Sequence, residues 1–255
     1  MNDDQTHVNP AYGENFLTQV VLKIDFSSIE AINVNSVNTA FESLEGGFNP
    51  AQILEKIDLR IEDHEGELTT NRIVDSIFKI EKDDSNFIEI TKTSIVIATT
   101  SYSSFTTFSQ FFTPILEMFF EKFTVTQASR IGLRYINDID LEESSDLFNW
   151  NNIISPSLVS NLNFVDDKSH IRRAMHNIFL EHDEDTLINF NYGMFNKTFP
   201  SKILSKEFVL DYECFTPYGT EVNDIIPTLT NYNQIITDVF EKSIGDELRE
   251  RMRQQ

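Results

Sequence analysis

Apolar positions along the chain follow two rhythms. The period of two marks strands. In NFLTQVVLKIDF (15–26), Leu22, Ile24 and Phe26 alternate with Lys23 and Asp25. RIVDSIFKIEK (72–82), FIEI (87–90) and SIVIATTSY (94–102) read as three more strands, the first two joined by the polar turn Asp83-Asp84-Ser85. SRIGLRYINDIDL (129–141) is another. RRAMHNIFLEH (172–182) and TLINFNYGMF (186–195) form a hairpin around Asp183-Glu184-Asp185, and EFVLDYECF (207–215) follows as a strand.

The period near 3.6 marks helices. VNSVNTAFESL (34–44) is short and ends at Gly46-Gly47. NPAQILEKI (49–57) predicts a second short helix, with Asn49 as cap and Pro50 in its first turn. In 104–123, Phe105, Phe108, Phe112, Ile115, Phe119 and Phe123 form one apolar stripe, and Pro114 predicts a kink or a start at Thr113. SSDLFNW (144–150) and SPSLVSNL (155–162) read as short helical pieces. Residues 226–252 predict the last and longest helix, with Ile236, Val239, Phe240, Ile244 and Leu248 along one stripe.

Strands gathered between helices favour the α+β class with antiparallel sheet. Residues 1–15 read as a loose arm. The halves 16–125 and 126–255 then each run strand, short helices, three strands, helix, an order seen in TBP-like and helix-grip folds. SIFKIEKDDS (76–85) and NIFLEHDEDT (177–186) share Ile-Phe and an acidic turn; ILEMFFEK (115–122) and IITDVFEK (235–242) share Phe-Glu-Lys. The expectation is two similar units sharing one sheet within one compact domain, and an internal duplication is one reading of them.

Composition adds three constraints. The net charge of −21 disfavours direct nucleic-acid binding and anionic membranes, and makes a basic protein the natural partner. Phenylalanine is abundant, 22 residues against one tryptophan, so burial per side chain is large and a Phe-lined cavity is conceivable. The lone Cys214 excludes an internal disulfide and a cysteine-based zinc site. With a polar, acidic N-terminal stretch and no long apolar run, the predicted location is the cytoplasm.

The central block RIGLRYIN, Arg130 to Asn137, resembles the hallmark of a sporadically distributed, uncharacterised family of bacterial and archaeal proteins of about this length. Phe240 and the tail Leu248-Arg249-Glu250-Arg251-Met252 resemble the same family's C-terminal helix. That resemblance implies no catalytic residue. The scattered distribution implies an accessory role, such as phage defence or a toxin–antitoxin pair.

The candidate chemistry sits on the same block. Strand parity places Arg130, Gly132, Arg134, Ile136 and Asp138 on one face, with Ile131, Leu133, Tyr135 and Ile139 on the core face. Two guanidinium forks about 13 Å apart, with Gly132 allowing close approach, are one form of an anion clamp. The internal reading pairs them with acids on a neighbouring strand, Asp211 and Glu213 being first. Asp138, Asp140 and Glu142 can bind Mg²⁺ with phosphate, or form a solvated strand end. His170, His176 and His182 are six residues apart; on one strand they cannot converge on a metal, so none is predicted. KSHIRRAMH (168–176) is a basic island, by default paired with Asp166-Asp167. No phosphate-cradling, metal-protease or nucleophile motif is present, and no cofactor is predicted.

The first reading is therefore a non-enzymatic, acidic binding or regulatory module acting on a protein partner, for instance as the immunity half of a defence or toxin system. The alternatives are a small-molecule-binding fold with a Phe-lined pocket, and an enzyme directing Arg130 and Arg134 at a phosphorylated substrate. Oligomeric state is left open.

Overall fold

The computed structural model describes Tyr12 and residues 15–64, 67–141 and 146–253, with side chains described throughout these except in 58–74. The expected arm at 1–15 lies outside the described residues apart from Tyr12 and Asn15.

The chain is α+β. In order it forms β1 (Leu17–Asp25), α1 (Val34–Glu42), β2 (Gln52–His64), β3 (Glu67–Glu81), β4 (Asn86–Ile90), β5 (Ser94–Thr99) and α2 (Phe105–Phe123). Then come β6 (Gln127–Ala128), β7 (Arg130–Asp140), α3 (Pro156–Val159), β8 (Ala174–Glu181), β9 (Leu187–Met194), β10 (Glu207–Thr216), β11 (Thr220–Glu221), α4 (Ile225–Ser243) and α5 (Asp246–Arg253). A nine-stranded antiparallel sheet has the order β2-β3-β4-β5-β1-β7-β10-β9-β8, and β6 pairs with β11. The chain divides into two compact units. One comprises Met1–Thr18, Arg134–Cys214 and Thr230–Gln255; the other comprises Gln19–Leu133 and Phe215–Leu229.

In the second unit, α1 starts on a reciprocal cap. The Asn33 side chain accepts from the backbone of Asn35 and Ser36, and Ser36 Oγ accepts from the Asn33 N–H. The β3–β4 turn is fixed by Asp83, whose Oδ1 accepts from the N–H groups of Ser85 and Asn86 at 2.8 Å. Helix α2 begins at Ser104, which caps the Thr107 N–H, and runs unbroken through Pro114. A start at Thr113 is thereby excluded. Pro114 sits on the exposed face, where water can satisfy the carbonyl it leaves without an N–H donor. The opposite face buries Phe108, Phe112, Ile115, Phe119 and Phe123. Their rings pack on one another, with Phe108–Phe112 at 5.1 Å and Phe119–Phe123 at 4.9 Å, while Phe26 at the end of β1 meets Phe119 at 5.4 Å.

Residues 49–57 do not form the expected helix. Asn49 donates to the Glu81 carbonyl and Ala51 to Asn38 Oδ1, bonds that tie the lead-in to β3 and α1. From Gln52 the chain pairs with β3 over thirteen positions, Gln52↔Lys79 to His64↔Glu67. That ladder outweighs a weak local helical pattern, and Ile53, Ile57 and Ile61 suit a strand.

In the first unit, the aromatic face of the sheet is covered by the later part of α4. Tyr135 donates its hydroxyl proton to Asn233 Oδ1 at 2.8 Å, and Tyr212 meets Phe240 edge-on and Phe190 face-on, at 6.5 and 4.5 Å. Two expectations fail here for the same kind of reason. The described part of 144–150 is turn, because Asp146 and Asn149 side chains accept from the N–H groups of Phe148 and Asn151 and compete with helix. The expected single helix over 226–252 is broken into α4 and α5. At the break, Ile244 bridges Ile154, the Gly245 N–H donates to the Ile153 carbonyl, and the Glu247 N–H to the Asn152 carbonyl. A Cβ on Gly245 would lie 2.0 Å from the Asn152 oxygen, so only glycine admits this docking.

Candidate functional site

β7 carries the sequence-predicted candidates, and its parity is as read: Ile131, Leu133, Tyr135 and Ile139 are buried, while Arg134 points outward. The Arg134 guanidinium is held bidentately. Nε donates to Asp211 Oδ1 at 2.7 Å and Nη2 to Asp211 Oδ2 at 2.8 Å. Those hydrogen bonds hold the Arg134 pKa above its ordinary value against the cost of burial, and the charges of Asp211 and Glu213 add to them. Both carboxylate oxygens of Asp211 are engaged by the fork. An incoming anion can take this Nε–Nη2 edge of Arg134 only by displacing a carboxylate that is itself buried.

Arg130, in the second unit, has different neighbours. Its guanidinium lies over the Phe215 ring, 4.4 Å from the centroid, with Asp25 Oδ2 at 4.0 Å. Gly132 is buried in the middle of β7. The structure thus gives each arginine its own acid, Asp25 and Asp211.

Asp138 faces a lysine that the sequence reading passed over. Lys197 Nζ lies 2.9 Å from Asp138 Oδ2 and 3.5 Å from Glu207 Oε1, which also accepts from Ser205 Oγ at 2.8 Å. The bond to Asp138 raises the Lys197 pKa, helped by the charges of Asp138, Glu207 and Asp140. Asp138 is thus a paired carboxylate and not a solvated strand end. Glu142 lies outside the described residues. Among the described residues no group of three His, Cys, Asp or Glu side chains can hold a metal. His176 instead stacks on Tyr192 at 5.2 Å and contacts Asn161.

The core face of the same strands holds two polar residues. Asn137 is buried and donates to the Leu210 carbonyl at 3.2 Å. Lys206 is buried beside Trp150, its ammonium 5.1 Å from the ring centroid, and burial pulls its pKa below the ordinary lysine value despite the charges of Asp146 and Glu247. Both were legible: Asn137 shares parity with Tyr135 and Ile139, and Lys206 with Phe208 and Leu210. A polar cavity of about 310 Å³ adjoins this region, lined by Asp146, Asn149, Trp150, Asn163 and Lys168. Trp150 is only 2% exposed, so its ring offers no stacking platform there. Cys214 is fully buried, and burial pushes its thiol up to about 12, which removes it as a nucleophile.

The Phe stripe of α2 packs ring on ring along most of its length, and a cavity of about 280 Å³ opens at its start, lined by Lys82, Tyr102, Thr107, Phe108 and Phe111. Another cavity, of about 440 Å³, lies along the helix flank, lined by Leu116, Phe120, Val125, Val222, Ile225 and Ile226. The basic island keeps its default reading in part: His170 Nε2 lies 3.6 Å from Asp167 Oδ2, whereas its two arginines bond elsewhere. Arg172 donates to the Ser169 carbonyl, and Arg173 donates to the carbonyls of Phe195 and Asn196 while lying over the Phe195 and Phe199 rings; neither bond goes to Asp166 or Asp167.

What the sequence did not foretell is the chemistry of the sheet's terminal strands. On β2, Ile53 is 56% exposed, and Leu54 and Ile57 are exposed as well. β3 pairs with β4 only through Phe78–Glu81, so most of the β2–β3 hairpin runs beyond its neighbour. The signal was present as β-branched residues in 53–61, hidden by the helical reading of 49–57. Comparison of the chain with protein-family models and with curated proteins finds no match.

Proposed function

We propose that the chain is a non-enzymatic, acidic binding module that takes up a protein partner by strand addition along β2. One observation carries this reading: a terminal strand presents Ile53 and Ile57 on one face and Leu54 on the other, all exposed. Proteins that work alone guard such an edge with charge, proline or a covering element. The exposed apolar positions of this edge suit a strand supplied by another chain. The partner's chemistry follows from charge. β2 carries Glu55, Asp58, Glu62 and Asp63 against Lys56 and Arg60, and the chain as a whole has a net charge of −21, which favours a basic segment. The phosphate-directed alternative is weaker, because an acid or lysine already lies against each of Arg130, Arg134 and Asp138.

The strand order supports a second part of the reading, that the two halves are copies of one unit. The runs β1-β5-β4-β3 and β7-β10-β9-β8 each set a first strand beside the last strand of a three-strand meander, and a helix follows each meander. A regulator or immunity role in a defence or toxin–antitoxin system rests only on the resemblance at Arg130–Asn137, Phe240 and Leu248–Met252.

The test uses the full chain as bait in native extract, with Ile53→Lys/Ile57→Lys beside the wild type. Both positions are exposed, so the double variant should keep its thermal melt. The expected result is a stoichiometric basic protein, released by salt, that the double variant fails to retain. Equal retention by the variant contradicts the edge reading. Recovery of the chain alone, with a co-purified small molecule, supports the ligand-binding alternative instead.

A further inference from the structure

We infer that the opposite terminal strand, β8, is a self-association edge that pairs antiparallel with β8 of a second copy of this chain. β8 closes the sheet order and is paired on its inner side to β9, from Ala174↔Met194 to Glu181↔Leu187. A terminal strand presents alternate backbone donors and acceptors outward. The middle of this one is apolar: in AMHNIFLE, Phe179 is 59% and Leu180 42% exposed.

The occupant is set by the order of charges. Nearest the apolar centre on its leading side stand Arg172 and Arg173, with Lys168 and the pair Asp166-Asp167 farther back; behind it stand Glu181, Asp183, Glu184 and Asp185. The guanidinium bonds of Arg172 and Arg173 run to backbone carbonyls, which accept protons without cancelling the charge. A segment positive at one end and negative at the other is complementary to itself in the antiparallel sense, where each head lies on the other's tail. Parallel pairing would set like charges together.

The register can be narrowed further. Residues directly opposite in an antiparallel pair lie on the same face of the sheet, and faces alternate along the strand. A two-fold axis must then pass through a residue position, not between two. Centred on Ile178, it sets His176 opposite Leu180 and Met175 opposite Glu181. It brings Arg172 and Arg173 toward Glu184 and Asp183 of the second copy. The contact is isologous and closes as a dimer. The net charge of −21 repels a second copy at long range, but that repulsion is screened beyond about 8–10 Å at physiological salt.

This edge is separate from β2, so its failure leaves the partner reading standing, and Ile53→Lys/Ile57→Lys should associate like the wild type. Sedimentation of the full chain at physiological salt over a range of concentrations is the test. The expected wild-type species has twice the 29.5 kDa chain mass. Leu180→Lys should be monomeric with an unchanged circular-dichroism melt. Arg172→Glu and Glu184→Arg should each raise the dimer Kd about tenfold. An equimolar mixture of those two variants should recover the dimer, because both crossed contacts become opposite in sign again. A wild type that stays monomeric at its highest soluble concentration overturns the inference. So does a dimer untouched by all three substitutions, or a mixture that fails to recover.

Discussion

Arg134 shows how a charged side chain can be structural while looking like a site. Its fork is planar and fills both oxygens of Asp211, a residue 7% exposed. Arg134→Ala strands that carboxylate. With the arginine side chain itself nearly half exposed, the cost is expected at about 1–3 kcal/mol rather than the full price of a broken buried pair. Arg134→Lys keeps the charge and loses the fork, so its thermal midpoint should fall between those of Arg134→Ala and the wild type. Lys206 makes the opposite prediction. Its folded pKa lies below the unfolded value of about 10.4. Between those two values the unfolded chain binds more protons, so wild-type stability rises with pH across that window. Lys206→Met removes the buried charge at similar volume. Its stability relative to the wild type should be more favourable at pH 7 than near pH 10 in parallel denaturant titrations. The same relative stability at both pH values would contradict the lowered pKa.

At the scale of elements, α2 and the helix break before α5 are the sharpest tests. Phe112 and Phe119 are wholly buried within a run of mutually packed rings. Replacing either by Ala should cost about 3–5 kcal/mol in equilibrium unfolding, and a near-neutral result would mean that the stripe is not close-packed. Gly245→Ala forces a Cβ onto the Asn152 oxygen at 2.0 Å. It should cost about 1–3 kcal/mol and weaken protection of the Gly245 and Glu247 amides in hydrogen exchange. These elements also mark what a sequence can disclose. The α2 stripe was legible because five turns of helix repeat one period. The hairpin at 174–194 was legible because two alternating runs flank an acidic turn. Residues 49–57 were too few to separate a helix from a strand, and the deciding partner, β3, pairs through hydrogen bonds that no local window contains. The break at Ile244-Gly245 was hidden likewise, since the carbonyls of Asn152 and Ile153 that hold it are about ninety positions away in sequence.

At the scale of the whole molecule, the α+β class followed from the order of elements, whereas the order of strands in the sheet did not. Nothing in the periodicity of Gln52–His64 or Ala174–Glu181 says that these strands end the sheet rather than sit inside it. For the candidate site the reverse held: parity alone set Arg134 on the face of Asp211, and the same parity pointed to Asn137 and Lys206. The functional surface we propose is the β2 edge and not the arginine face of β7. Its most direct test is side-by-side capture from native extract by the wild type, Ile53→Lys/Ile57→Lys and Arg134→Lys, each at a temperature where all three are folded. The expected result is a stoichiometric protein partner retained by the wild type and by Arg134→Lys and lost by the β2 double variant. A partner lost by Arg134→Lys and retained by the double variant would contradict it.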